Sequence, residues 1–339
     1  MSITSTEARG MLPVQLETSN NLQLLINAGT NAYGVASCLS TLENANLSLV
    51  TQDNFQALLN VGGNVYDVGL GLTALCRANP ELLTQTNFTA LVNAYPYDLG
   101  SCLVELGIAN PQFITQESLT ALFNAGINAH GVVVGLIALG NADPDLINHE
   151  NCLALLNTGV NARDIGASLT ELYRSNPKLI TANNLRALFN SNQNAYSIGT
   201  ALTELVRTNT DLVSQDNLSA LIQAGANAYD VGHALSALYK SDPALITENN
   251  RNMLLTPYGM GSVLNMLVKN GPTLINQKNF ECLANLGSNA YDVGYSVSLL
   301  HRADPELLSQ NNFELLVESG QNALETAQKI IENKKKYQE

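Results

Sequence analysis

Thr18, Thr51, Thr84, Thr115, Asn148, Thr181, Ser214, Thr247, Asn276 and Ser309 open successive copies of one 33-residue unit, at steps of 33, 33, 31, 33, 33, 33, 33, 29 and 33 residues. A period of this length means that each copy is one supersecondary unit. Its apolar face is too small to be buried alone and is covered by its neighbours. A chain of 339 residues would otherwise suggest two or three domains. The period instead implies one repeat domain over residues 17–331, between an N-terminal segment (1–16) and a C-terminal tail (332–339).

The copy from Val213 to Leu245 shows what one unit encodes. Ser214 precedes Leu218, Leu221 and Ile222, whose spacing of three and four is that of an amphipathic helix with a hydroxyl cap. Gly225 ends that helix. Asn227, three residues before Asp230, is expected to cap a second helix that carries Ala228, Val231, Leu235 and Leu238 on one face. Gly232 on that face lets a neighbouring helix come close. Asp242-Pro243 stops the helix, because the residue before proline avoids the α region. The expected fold class is therefore all-α. It is an α-solenoid of about ten two-helix repeats, wound as a right-handed superhelix by analogy with other helical repeat proteins.

Three columns of side chains recur. The first is Asn21, Asn54, Asn87, Asn151, Asn184, Asn217, Asn250, Asn279 and Asn312, expected to satisfy the backbone of the inter-copy turns. The second is Asn31, Asn64, Asn128, Asn161, Asn194, Asn227, Asn289 and Asn322, expected as second-helix caps. The third is aromatic: Tyr33, Tyr66, Tyr97, Tyr196, Tyr229, Tyr258 and Tyr291, with an acid following at Asp67, Asp98, Asp164, Asp230 and Asp292. His130, Arg163 and Leu324 interrupt it.

Two readings of this third column stand side by side. The rings pack between copies with the hydroxyl at the wet edge. Alternatively the stripe binds a partner, the tyrosines giving contact area at low entropy cost and the aspartates pairing with Arg or Lys. On the second reading the candidate contacts are these tyrosines with Asp67, Asp98, Asp230, Asp292, His130 and Arg163.

Two copies are short, at Tyr95-Pro96-Tyr97 and at Pro257-Tyr258. Each is expected to place its proline at the first position of the second helix. They are read either as neutral loop variation or as a local notch.

The net charge of -13 opposes binding to nucleic acid and to anionic membrane, both polyanions. It suits either a plain solvated surface or a protein partner with a basic surface. Cys38, Cys76, Cys102, Cys152 and Cys282 fall in different copies without CxxC spacing and read as small core residues in a reducing compartment. No cofactor or metal is expected. His130, His149, His233 and His301 sit apart with no HExxH, and no nucleotide-binding or nucleophile-elbow motif occurs. An enzyme is therefore not expected. Residues 1–15 lack a basic region followed by an apolar run, and no run of 18 apolar residues occurs. Neither a Sec-type signal peptide nor a membrane span is expected.

The motif Leu/Ile-Thr-Gln-x-Asn-Phe/Leu-x-Ala-Leu, followed by an Ala-rich helix and Asn-Pro-x-Leu, resembles repeat arrays of effector proteins that intracellular bacteria inject into host cells. The resemblance covers Glu17 to about Ile331. It implies a non-enzymatic scaffold that is cytoplasmic in the producing cell and translocated into a host without a Sec signal. Leu308-Ser309-Gln310, Ser319-Gly320 and the stretch from Ala323 to Lys329 are also similar to TAL-effector-type repeats. That second resemblance implies modular nucleic-acid binding. The places where that family sets basic or amide residues hold Tyr66-Asp67 and Tyr229-Asp230 here.

Overall fold

The computed structural model describes residues 3–93, 99–255 and 259–336. Every regular element among the described residues is helical: α-helices paired in hairpins and joined by short 3₁₀ turns, with successive second helices packed side by side within a unit. The chain divides into two compact units, Met1–Thr170 and Glu171–Glu339.

The Ser214 copy, in the second unit, shows how the sequence builds a hairpin. Ser214 is extended (φ -107°, ψ 165°), and its hydroxyl accepts from the Asn217 N–H at 3.3 Å, capping the helix Gln215–Ala224. Gly225 follows at φ 57°, ψ -118°. Those angles are the first central position of a type II′ turn, which needs glycine. A 3₁₀ turn (Gly225–Asn227) then leads into the second helix, Ala228–Ser241, which buries Val231, Gly232, Ala234, Leu235 and Leu238. Asp242 swings to φ -157°, ψ 112°, and its carboxylate accepts from the Ala244 N–H at 2.9 Å. This closes the 3₁₀ turn Pro243–Leu245, and Leu245 is buried as the chain enters the next copy.

The expected second-helix caps take a different form. Asn64, Asn128, Asn227 and Asn289 make no side-chain cap hydrogen bond. A capping side chain needs an extended backbone, and Asn64 sits near helical angles (φ -83°, ψ -1°) as the last residue of its 3₁₀ turn. The turn runs straight into the helix, so backbone carbonyls take the first N–H groups. Gly62 O, for example, accepts from Val65 N.

The other asparagine column is buried and does more than satisfy turns. In the first unit Asn21, Asn54 and Asn87, and in the second Asn184, Asn250 and Asn279, each donate Nδ2 to the carbonyl five residues back, at 2.8–2.9 Å. The same Nδ2 donates at 2.8–2.9 Å to the Oε1 of Gln52, Gln85, Gln116, Gln215, Gln277 and Gln310 respectively, on the first helix of the following copy. Each glutamine returns a bond from Nε2 to the asparagine Oδ1 at 2.8–3.1 Å. The ladder is interrupted at Ser118, which takes the asparagine place, after Asn151, where Ala182 takes the glutamine place, and after Asn217, where Glu248 does. A carboxylate has no proton to return. The buried Asn217 Oδ1 is left without a hydrogen-bond partner among the described residues.

Residues 116–142 form a helical stretch with a mean hydropathy of 1.7 in its most apolar window, long enough on those grounds to span a membrane. Gly126, at φ 55° and ψ -123°, reverses the chain inside it. The stretch is a hairpin of helices Gln116–Ala125 and Ala129–Ala142, and half of its most apolar window is buried. Cys38, Cys102 and Cys152 are buried, and burial pushes the thiols of Cys38 and Cys152 up to about 12 and about 11.

Restoring the missing rung should stabilise the fold. Glu248→Gln gives Asn217 its donor and is expected to add about 0.5–1.5 kcal/mol. Asn250→Ala empties an intact rung, removing the Nδ2 bond to the buried Leu245 carbonyl and both bonds to Gln277, and should cost about 1–3 kcal/mol. Urea unfolding of both variants checks this. A destabilised Glu248→Gln would contradict the ladder.

Candidate interaction surface

Within a second helix, the residues four, seven and eleven after the column tyrosine fall on the same stripe of the cylinder as the tyrosine itself. The opposite face packs against the first helices. The flank meets the neighbouring second helix closely because small residues line it: a Cβ built on Gly232 would lie 2.6 Å from Ala201 Cβ. The stripe is open at the tyrosine end, while seven residues on it closes at Ser236 and Ser298, which are buried. Tyr33, Tyr66, Tyr196, Tyr229 and Tyr291 are 47%, 51%, 67%, 49% and 51% exposed, large values for aromatic rings. His130 and Arg163 are exposed at the same register. Tyr97, Asp98 and Tyr258, with Tyr95, Pro96 and Pro257, lie outside the described residues.

Each reading of the tyrosines finds a feature here. The Tyr66 hydroxyl donates to the Thr30 carbonyl of the preceding copy at 3.0 Å, and its ring lies over Gly34. Half of Tyr66 nevertheless faces solvent, and with Gly34, Ser37, Gly69, Leu70 and Thr73 it lines a cleft of ≈ 290 Å³ between two second helices of the first unit. Tyr229 leans on His233, four residues on, with ring centroids 4.4 Å apart and a tilt of 58°. Tyr295 takes that four-on position beside Tyr291 and is 41% exposed. The stripe is thus broadened by Leu70, His233 and Tyr295.

The aspartates are engaged differently from the expectation. Asp67 Oδ2 accepts from Gly100 N at 2.9 Å, and Oδ1 accepts from Ser101 N and Oγ, both at 3.1 Å. Asp230 Oδ1 accepts from Gly261 N at 3.0 Å. Both carboxylates therefore cap the second helix of the following copy, and in both cases that copy is a short one. Full-length copies after the first enter the second helix through a 3₁₀ turn. In the short copies the described helices are Leu99–Ala109 and Met260–Asn270, 11 residues each against 14 for Ala228–Ser241. The preceding copy's aspartate covers N–H groups at the start of these shorter helices.

Glycine makes the approach possible. A Cβ on Gly100 would sit 1.8 Å from Asp67 O, and one on Gly261 would sit 2.4 Å from Asp230 O. The helix after Pro257 begins at Met260 with Gly259 (φ 86°, ψ 2°) as its cap, not at the proline as expected. The left-handed glycine redirects the chain into the helix. Asp164 and Asp292 are half-buried at the same register.

One feature escaped the sequence reading. Eleven residues after the column position stand Arg77, Arg174, Arg207, Lys240, Lys269, Arg302 and Lys335, seven of the chain's 16 Lys and Arg residues, with no acid at that register in any copy. All seven are exposed. The offset is regular in the sequence, but a net charge of -13 carries no sign of where the positive residues stand. Among the described residues no group of three or more His, Cys, Asp or Glu is placed to hold a metal ion. Compared with known proteins, the chain matches no family model and no curated protein.

Asp67 and Asp230 should respond differently to loss of charge. Burial raises the Asp230 pKa, and backbone N–H groups led by that of Gly261 only partly offset it. The protonated form therefore favours the folded state. That stability is present below the ordinary carboxylate pKa and is lost as pH rises through the raised value. Asp230→Asn, whose amide oxygen still accepts from Gly261, should gain in melting temperature relative to the native chain as pH rises from acid to neutral. Asp67→Asn instead turns an NH₂ toward one of two N–H donors, that of Gly100 or that of Ser101, whichever way the amide is placed, and should cost about 1–3 kcal/mol at neutral pH. Thermal melts across pH check both. A pH-independent difference for Asp230→Asn would contradict the assignment.

Proposed function

We propose that this chain is a non-enzymatic protein-interaction scaffold that grips a protein partner through the exposed stripe of its second helices. Its hairpins are read as about ten units wound into a right-handed superhelix. The observation that carries the proposal is the row of tyrosines, each about half exposed at one register. Partly exposed aromatic rings held by a rigid helix are what interface hot spots are made of. A fold with no other use for the rings would bury them or replace them with polar residues. The aspartates that pointed to a basic partner carry less of the argument, because Asp67 and Asp230 are turned to the next helix. An effector role inside a host cell rests on the repeat motif, to which the stripe adds a surface for contact.

The test is capture from host-cell lysate by the intact chain and by Tyr196→Ala/Tyr229→Ala/Tyr291→Ala, with circular dichroism and melting to confirm the fold. Loss of a buried hot-spot tyrosine costs about 2 kcal/mol or more, roughly 30-fold in affinity. The triple variant is expected to stay folded and to lose the partner. Unchanged capture by a folded triple variant would move the binding surface elsewhere.

A further inference from the structure

Helices Asn31–Ala45 and Val65–Ala78 lie side by side in the unit Met1–Thr170, and the cleft of ≈ 290 Å³ at Tyr66 opens between them. The small residues Gly34, Ser37 and Gly69 make room for it, and Tyr66 and Leu70 line it. The Tyr66 ring is held at both ends. A Cβ on Gly34 would lie 3.5 Å from its Cδ1 and Cδ2, and its hydroxyl is tied to the Thr30 carbonyl. Tyr33 stands at the same register of the neighbouring helix, one helix spacing of about 8–10 Å away. Leu70, like both tyrosines, is about half exposed, at 45%. The Tyr33 and Ser37 hydroxyls form no hydrogen bond among the described residues. No charge faces this place. Asp67, beside Tyr66, turns its carboxylate onto Gly100 and Ser101. Glu43 and Arg77 stand ten and eleven residues on, about 15 Å along the helices. Four and seven residues after the column position, no copy carries Asp, Glu, Lys or Arg. The exposed faces of the first helices, by contrast, carry Asp53, Glu117, Glu150, Asp216 and Lys278. Interface cores are depleted of charge and enriched in aromatic rings in this way.

We infer that this cleft seats a proline of an uncharged, proline-rich segment of the partner. The inference rests on the scaffold reading and gives that partner its chemistry. A helix, about 10–12 Å across with its side chains, is too broad to enter a furrow between helices about 8–10 Å apart. A β-strand needs free backbone groups alongside it, and the two helices use theirs internally. A polyproline II segment is narrow, has no internal hydrogen bonds and is already extended before it binds, so it loses little conformational entropy. It advances about 3.1 Å per residue, or about 9.3 Å every third residue, which matches the helix spacing. A Pro-x-x-Pro stretch therefore lays one proline ring against Tyr66 in the cleft and the next on Tyr33. Its unpaired carbonyls accept from the Tyr33 and Ser37 hydroxyls.

The test uses the full chain and fluorescence anisotropy with three probes: a 12-residue peptide with proline at every third position and Ala or Ser between, the same peptide with Ala for proline, and a Leu-rich amphipathic helical peptide. The proline peptide is expected to bind with little dependence on salt, because neither surface is charged. Tyr33→Ala/Tyr66→Ala should weaken it about tenfold or more. Ser37→Arg fills the cleft from an exposed position and leaves both tyrosines in place. It should weaken binding to the same degree without lowering the melting temperature, which separates a blocked cleft from a lost fold. Failure of the proline peptide to bind at millimolar concentration, equal binding of the alanine peptide, tighter binding of the helical peptide at the cleft, or indifference to both variants would each overturn the inference. A lysate partner lost by Tyr196→Ala/Tyr229→Ala/Tyr291→Ala but still captured by Ser37→Arg would overturn it too, while leaving the scaffold reading intact.

Discussion

A buried amide holds this architecture together. The inter-copy turns present backbone carbonyls to an interior otherwise lined by Leu, Val and Phe; Leu49, Leu82 and Leu245 O each take one N–H from the residue two on, at 2.9–3.0 Å, and need a second donor for the lone pair left over. Asparagine answers that need five residues later, and its remaining hydrogen-bonding groups reach across to a glutamine of the next copy. One side chain therefore satisfies the turn, fixes the first helix of its own copy and sets the register of the following one. Hydrophobic burial supplies most of the driving force, but it is non-directional. Where they are present, the amide rungs make one copy sit on the next in one way.

That register is what allows the second helices to approach so closely. Glycine or another small residue at the contact removes the side chains that would hold them apart, and the backbone of one helix meets the flank of the next. The short copies show how far this coupling goes. Where the turn before the second helix is cut, the helix start is brought against the previous helix and an aspartate there takes its free N–H groups. A change of loop length in one copy thus becomes a carboxylate requirement in its neighbour.

Much of this was legible from the residues. The period, the hydroxyl caps at Thr51 and Ser214, the turn glycines and the extended residue before proline are local signals with local causes, and the structure follows them. The misses involve partners far away in sequence. Gln52 lies 31 residues from Asn21, so nothing near either residue discloses that they pair. Asn64 looks like a helix cap beside its helix, and only the 3₁₀ turn ahead of it shows why it is not. Asp67 and Asp230 read as surface acids because the truncated turn they serve belongs to the next copy. The cation row was hidden by addition, since a total charge of -13 says nothing about where the positive residues stand.

What the fold leaves available is the stripe of its second helices, with aromatic rings at one end of each helix and cations at the other, on a backbone fixed by the ladder behind it. Hydroxyl-radical footprinting of the chain with and without its captured partner, read by mass spectrometry, tests that most directly. Protection of Tyr196, Tyr229 and Tyr291, with unchanged labelling of the exposed first-helix residue Leu315, is the predicted result. Protection confined to the first helices, with the three tyrosines labelled as in the free chain, would contradict it.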